Sequence, residues 1–137
     1  MKSDQMSTAG ILLLSHGTLC EGVLDAMRVL GCDTEQIQAI PLDMESELDA
    51  YTQQVSQAID ALDNGGGVLV IVDLLGGTPF NRACMLREEK NIEVLAGMSL
   101  PMCISALDFR RTEALVALAE TCKREAKEAV INVKDLL

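Results

Sequence analysis

The chain has 137 residues, 49% of them apolar but only 2% aromatic, and a formal net charge of −10. That length suits one domain with an aliphatic core, and the acidic surface disfavours a nucleic-acid partner, whose phosphates it would repel. No apolar run is long enough to span a bilayer, and residues 1–9 lack an apolar signal core, so the expectation is a cytoplasmic protein.

Residues 1–9 are read as a flexible N-terminal arm and 10–137 as a single domain. Ile11 to Leu14 is a buried strand, followed at once by Ser15-His16-Gly17. His16 is the only histidine. The spacing predicts a helix over Thr18 to Leu30, with Leu19, Val23, Ala26, Met27 and Leu30 on one face and Gly31 as its stop. Gln36 to Leu42 reads as a second strand. Glu45 to Leu62 follows as a long helix with Leu48, Tyr51, Val55, Ile59 and Leu62 inward. It ends at Asn64-Gly65-Gly66-Gly67, residues that tolerate the left-handed conformation a helix terminus needs.

Val68 to Asp73 is the third strand, and its aliphatic run stops at Asp73 as the first stops before Ser15-His16. Leu74-Leu75-Gly76-Gly77-Thr78-Pro79-Phe80-Asn81 follows, with Thr78 expected as N-cap and Pro79 as the first residue of a helix to about Glu89. Asn91 to Ala96 is a fourth strand, Gly97 to Leu100 a loop, and Pro101 the start of a short helix. A last helix, capped by Thr112, runs to about Ala129. Val130 to Val133 is expected as a short fifth strand, pairing with its own sheet or with a partner subunit.

Strands alternate with helices, and the strands are continuously apolar rather than alternating. Both features call for an α/β fold, a three-layer α/β/α sandwich around a mostly parallel sheet of four strands. The short terminal strand would be an addition to it, antiparallel or exchanged in a dimer.

If the first and third strands are neighbours, His16 and Asp73 emerge side by side at the carboxyl edge, where open α/β sheets bind their ligands. Neutral imidazole is a nucleophile. A carboxylate bonded to one ring nitrogen fixes the tautomer and supports charge that develops on the ring. Glycines let the backbone turn sharply and approach a ligand, and the helix after them aims free amides at an anion. Together these residues suggest phosphoryl handling, with His16, Asp73 and Thr78 as catalytic candidates and Gly17, Gly76 and Gly77 as phosphate-binding candidates.

Each has a plainer reading. A lone histidine often bonds a nearby backbone group, and a Gly-Gly-Thr-Pro string also serves an ordinary strand-to-helix turn. Thr18 is placed to cap the first helix. Asn81 either braces the turn or faces solvent. Phe80, Met98, Pro101 and Met102 fall near the same edge, as a docking surface or as core; Phe80 and Met102 are the partner-binding candidates.

Other chemistries lack their residues. Five scattered cysteines without a CxxC pair argue against a disulfide framework or a zinc site, so no metal is expected. There is no GxSxG elbow, no Walker lysine and no GxGxxG turn, and no cofactor is expected. A receiver domain would want acidic residues where Ser15-His16 stands.

These residues resemble the EIIA component of the mannose-family (mannose/fructose/sorbose) bacterial sugar phosphotransferase system. Ser15-His16-Gly17 matches the family's Ser/Thr-His-Gly string. The run from Asp73 to Asn81 matches its Asp, two variable residues and Gly-Gly-Ser/Thr-Pro-x-Asn. Ser99-Leu100-Pro101-Met102 is similar to its Asn-Ile-Pro-Met segment, with milder departures. The resemblance implies phosphorylation of His16 on Nε2, orientation of the ring by Asp73 through Nδ1, and help from Thr78 in holding the phosphoryl group. It implies phospho-HPr as donor, EIIB as acceptor during sugar uptake, contact with the membrane only through the transporter, and a homodimer in which Val130 to Val133 is the candidate exchanged strand. With one histidine the chain holds one phosphohistidine, so the next carrier is expected on another polypeptide. The alternatives are a non-enzymatic regulatory or anion- and partner-binding module, a receiver-like switch phosphorylated on Asp73, and an EIIA-like subunit serving a dihydroxyacetone kinase.

Overall fold

The computed structural model describes residues 7–137. Four strands, β1 (Gly10–His16), β2 (Ile37–Leu42), β3 (Val68–Val72) and β4 (Ile92–Ala96), form one parallel sheet in the order β2-β1-β3-β4. Chain order reverses between β1 and β3, so the crossovers on either side diverge and open a crevice at the carboxyl edge. In that register Leu14 lies opposite Val72. His16 and Asp73 therefore leave the sheet together, as expected from the two aliphatic runs.

Five helices cover the sheet: α1 (Leu19–Val29), α2 (Leu48–Leu62), α3 (Thr78–Met85), α4 (Leu100–Phe109) and α5 (Leu115–Glu128). Alternate side chains of β1 and β3 explain the layering. Ile11, Leu13, Leu69 and Ile71 pack under α1, α4 and α5 with Met27, Cys103, Leu118 and Cys122. Leu12, Leu14, Val70 and Val72 pack under α2 and α3 with Tyr51, Val55, Ile59 and Ala83. Both sheet faces are buried, which is why these strands read as unbroken aliphatic runs.

Several local expectations differ from the structure. The inward stripe of α1 is Cys20, Leu24 and Met27, while Leu19 and Leu30 are exposed. Both sets satisfy helical spacing, and the exit angle from β1 selects between them. In α2 the inward set includes Ala58, and Leu48 faces out. Helix α5 begins at Leu115 with Ala114 as N-cap; Thr112 instead donates its hydroxyl to the Phe109 carbonyl within the reversal from α4.

Of the two pairings expected for residues 130–133, the one with the chain's own sheet does not form. Residues 130–132 have no regular structure, and Val133–Leu136 forms a short 3-10 turn. The Asn132 side chain accepts from the Lys134 amide at 3.2 Å, a local bond that competes with strand pairing. Most of the expected arm, residues 1–6, lies outside the described residues, whereas Ala9 is buried in the core.

Candidate active site

The geometry centres on the Asp73 carboxylate, which ties the two strand ends together. Its Oδ2 accepts from the His16 backbone amide and from His16 Nδ1, each at 2.9 Å. Its Oδ1 accepts from the Leu74 amide at 2.9 Å. The Asp73 side chain is 9% exposed, against 47% for His16. Burial alone would raise the pKa of this carboxyl; the bonds from the His16 amide and ring and from the Leu74 amide outweigh it and hold the group below the usual 3.8. A charged carboxylate has no proton to give, so the hydrogen of this bond lies on Nδ1, and in the neutral imidazole Nε2 keeps its lone pair.

The backbone around His16 is fixed from both sides. Ser15 is fully buried; its hydroxyl donates to the Gly17 carbonyl at 2.9 Å and accepts from the Cys20 amide at 2.8 Å. Ser15 thus caps α1. Thr18 occupies the N-cap position without a side-chain bond, contrary to the sequence expectation. Gly17 has φ +58° and donates its amide to the Leu42 carbonyl at 2.7 Å, anchoring the turn to β2.

On the other side stands the start of α3. Gly76 has φ +83°, a left-handed conformation suited to glycine. The N-cap is Gly77, and Thr78 is already the first helical residue, which moves the expected cap by one position. A Cβ built on Gly77 would lie 2.7 Å from His16 Cε1 and 3.2 Å from Nε2. The helix entrance is therefore packed against the free-nitrogen edge of the imidazole, where first-turn amides have no helical acceptor. Asn81 braces this turn: its Nδ2 donates to the Gly76 carbonyl at 3.1 Å and its amide to the Gly77 carbonyl at 2.8 Å.

The structure thus brings together His16, Asp73, Gly17, Gly76, Gly77 and the half-buried Thr78. It does not bring Met102 to the surface. The Ser99 hydroxyl accepts from the Met102 amide at 3.2 Å, and the first turn of α4 directs Met102 into the core, where it is 4% exposed. That placement corrects its reading as a partner-binding residue. Phe80 is half-buried against the α2/α3 side of the core.

The apolar groups that are exposed here are others: Met44, Leu74 at 60% and Leu75 at 78%. Leu74 and Leu75 carried a usable signal, two leucines inside a Gly-rich turn, which no core explains. A cleft of 320 Å³ lies beside the imidazole, lined by His16, Gly17, Leu42, Asp43 and Met44. Among the described residues no three His, Cys, Asp or Glu side chains form a metal-binding group.

Residues 10–123 match the EIIA-man family, described as the PTS system fructose IIA component. The mannose-specific EIIAB component of Escherichia coli (strain K12) is 30% identical over 128 residues, 90% of this chain and 40% of that protein. The chain thus spans less than half the length of that relative. The fructose-specific EIIA component of Bacillus subtilis (strain 168) is 22% identical over 120 residues, 87% of this chain and 82% of that protein. Among solved structures, EIIA from Streptococcus agalactiae has the same fold, with a TM-score of 0.84, 24% identity, and coverage of 93% of this chain and 98% of that one. The mannose/sorbose-specific IIA subunit from Enterococcus faecalis superposes with a TM-score of 0.82 and 25% identity, covering 91% and 94%.

Proposed function

Because the chain belongs to the mannose-type EIIA family of sugar phosphotransferase components, we propose that it carries a phosphoryl group on His16, taken from phospho-HPr and passed to EIIB during sugar uptake. The observation that carries this reading is the 2.9 Å bond from Nδ1 to Asp73, which leaves Nε2 free beside the entrance of α3.

Transfer then balances without moving a proton. Nε2 of neutral His16 bonds to phosphorus as the N–P bond of the donor phosphohistidine breaks, its electron pair returning to the donor ring. The His16 ring becomes cationic with its hydrogen still on Nδ1, and Asp73 opposes that charge. Phosphoryl transfer asks mainly for positioning and charge stabilisation. The Thr78 hydroxyl and the backbone amides from Gly76 onward are suited to supply these. The group must leave as readily as it arrives, so a half-open site suits the task better than an enclosing one.

The surroundings fit a protein donor. Met44, Leu74 and Leu75 form an apolar collar, and Asp43, Glu45 and Glu47 make the adjoining β2–α2 loop acidic. A carrier with an apolar face and a basic rim complements it. The exposed Val130, Ile131 and Val133 support pairing of residues 130–133 with a second copy in a homodimer. A carrier of this kind would work in the cytoplasm and meet the membrane only through its transporter; no helix of the described residues is long and apolar enough to cross a membrane.

The test is intact-mass spectrometry after incubation with phosphoenolpyruvate, enzyme I and HPr. One acid-labile phosphoryl gain is expected on the wild type, none on His16→Ala, and a slowed gain on a folded Asp73→Asn. Label on His16→Ala, or a wild-type rate in Asp73→Asn, would overturn the assignment.

A further inference from the structure

Asn81 is the fourth residue of α3 and stands at an exposed position. Asparagine is a poorer helix former than alanine, so helix stability alone does not explain it there. Its side chain reaches backward, out of the helix. Nδ2 donates to the Gly76 carbonyl at 3.1 Å, while the Asn81 amide donates to the Gly77 carbonyl at 2.8 Å. One residue thus holds two successive carbonyls ahead of the helix. A helix continued backward would give the Gly76 carbonyl to the amide of Phe80, four residues on. That bond does not form: Gly76 has φ +83°, Asn81 occupies its carbonyl, and the Phe80 amide has no acceptor among the described residues. Pro79 supplies no N–H, so the open donors of this first turn are the amides of Thr78 and Phe80. Gly77, held by the same residue, is packed against the imidazole, with its Cβ position 2.7 Å from His16 Cε1. A continuous line of contacts therefore runs from Asn81 through Gly76 and Gly77 to the reacting ring.

We propose that Asn81 is a positioning residue for phosphoryl transfer: its hold on Gly76 keeps the helix from closing over its own first-turn amides and keeps Gly77 seated against His16. This rests on the phosphocarrier reading above. As the donor's N–P bond breaks and the Nε2–P bond forms, charge spreads over the phosphoryl oxygens, and donors already aimed at them stabilise it most. Asn81 exchanges no proton and no electron pair in that step. It sets where the amides point before the step begins. Without its side chain the Gly76 carbonyl is free to turn toward the Phe80 amide. That turn would consume one donor and shift Gly77 against the ring. Docking of the donor protein depends on the apolar collar rather than on this bond, so the effect belongs to the transfer step.

The experiment compares wild type with Asn81→Ala, Asn81→Asp and Asn81→Gln, each labelled by phospho-HPr made from phosphoenolpyruvate, enzyme I and HPr. It reads kcat and KM for labelling over a range of phospho-HPr, and Tm. Asn81→Ala is expected to lower kcat about tenfold, as misplaced donors do. KM should stay within about twofold and Tm within about 3 °C, since one exposed bond is lost and a better helix former gained. Asn81→Asp keeps the shape but offers only acceptors to the Gly76 carbonyl, so it should be no faster than Asn81→Ala. Asn81→Gln keeps the donor and should recover part of the loss, a rescue that a merely structural role would not produce. A wild-type kcat in Asn81→Ala or Asn81→Asp, a change in KM alone, a kcat loss matched by a large fall in Tm, or an Asn81→Gln no faster than Asn81→Ala would overturn the positioning role and leave the carrier reading standing. A wild type that takes no label would overturn both.

Discussion

At Gly77 the missing side chain is itself part of the site. A methyl there would lie 2.7 Å from His16 Cε1 and 3.2 Å from Nε2, so either the ring or the helix entrance must move. Gly77→Ala is expected to leave a folded protein whose phosphorylation is slowed at least about tenfold, since displacements near 1 Å cost that much in positioned reactions. Initial rates of mass gain check this, and a wild-type rate would show that the amide edge does not face the reacting nitrogen. The sequence showed two glycines in a turn; it did not show which was required by φ and which by the imidazole. Gly76 meets the first need with φ +83°, and Gly77 meets the second. The roles differ because one is local backbone geometry, while the other depends on a residue 61 positions away.

At the level of elements, the site depends on how α1 leaves β1 and α3 leaves β3. Ser15 does the work that the sequence assigned to Thr18, because its side chain turns inward and reaches the Cys20 amide at 2.8 Å. Ser15→Ala should cost about 1–2 kcal/mol through the lost cap and lower Tm by about 3–6 °C. It should also slow labelling by loosening the backbone at His16. Thr18→Ala should change neither, and thermal melts of the two variants side by side decide between them. Strand existence and the helix-strand alternation were legible because unbroken aliphatic runs need two covered faces. The inward stripe of α1 and the start of α5 were not, since Leu19 and Cys20 lie on adjacent helix positions and both fit the spacing. Only packing against β1 and α4 separates them.

For the whole molecule, the charge of −10 and the apolar collar act over different ranges. Under the proposed function, the acidic field would steer a basic carrier from a distance and weaken with salt; the collar would contribute only on contact. Leu75→Asp is therefore expected to raise KM for the phospho-HPr donor by about tenfold while leaving kcat and Tm within error. Added salt should raise KM in wild type and variant alike. A fall in kcat with constant KM would instead place Leu75 in the chemistry.

The sequence by itself determined that a histidine ends one strand and an aspartate ends another, the latter followed by a Gly-rich helix start. Those signals are local: an aliphatic run, a turn, a capping string. The tertiary structure decided what the runs bring together: adjacency of β1 and β3, the buried place of Met102 and the exposed place of Leu75. Chain topology and the choice of inward face depend on contacts far apart in sequence, and no single window of residues carries them.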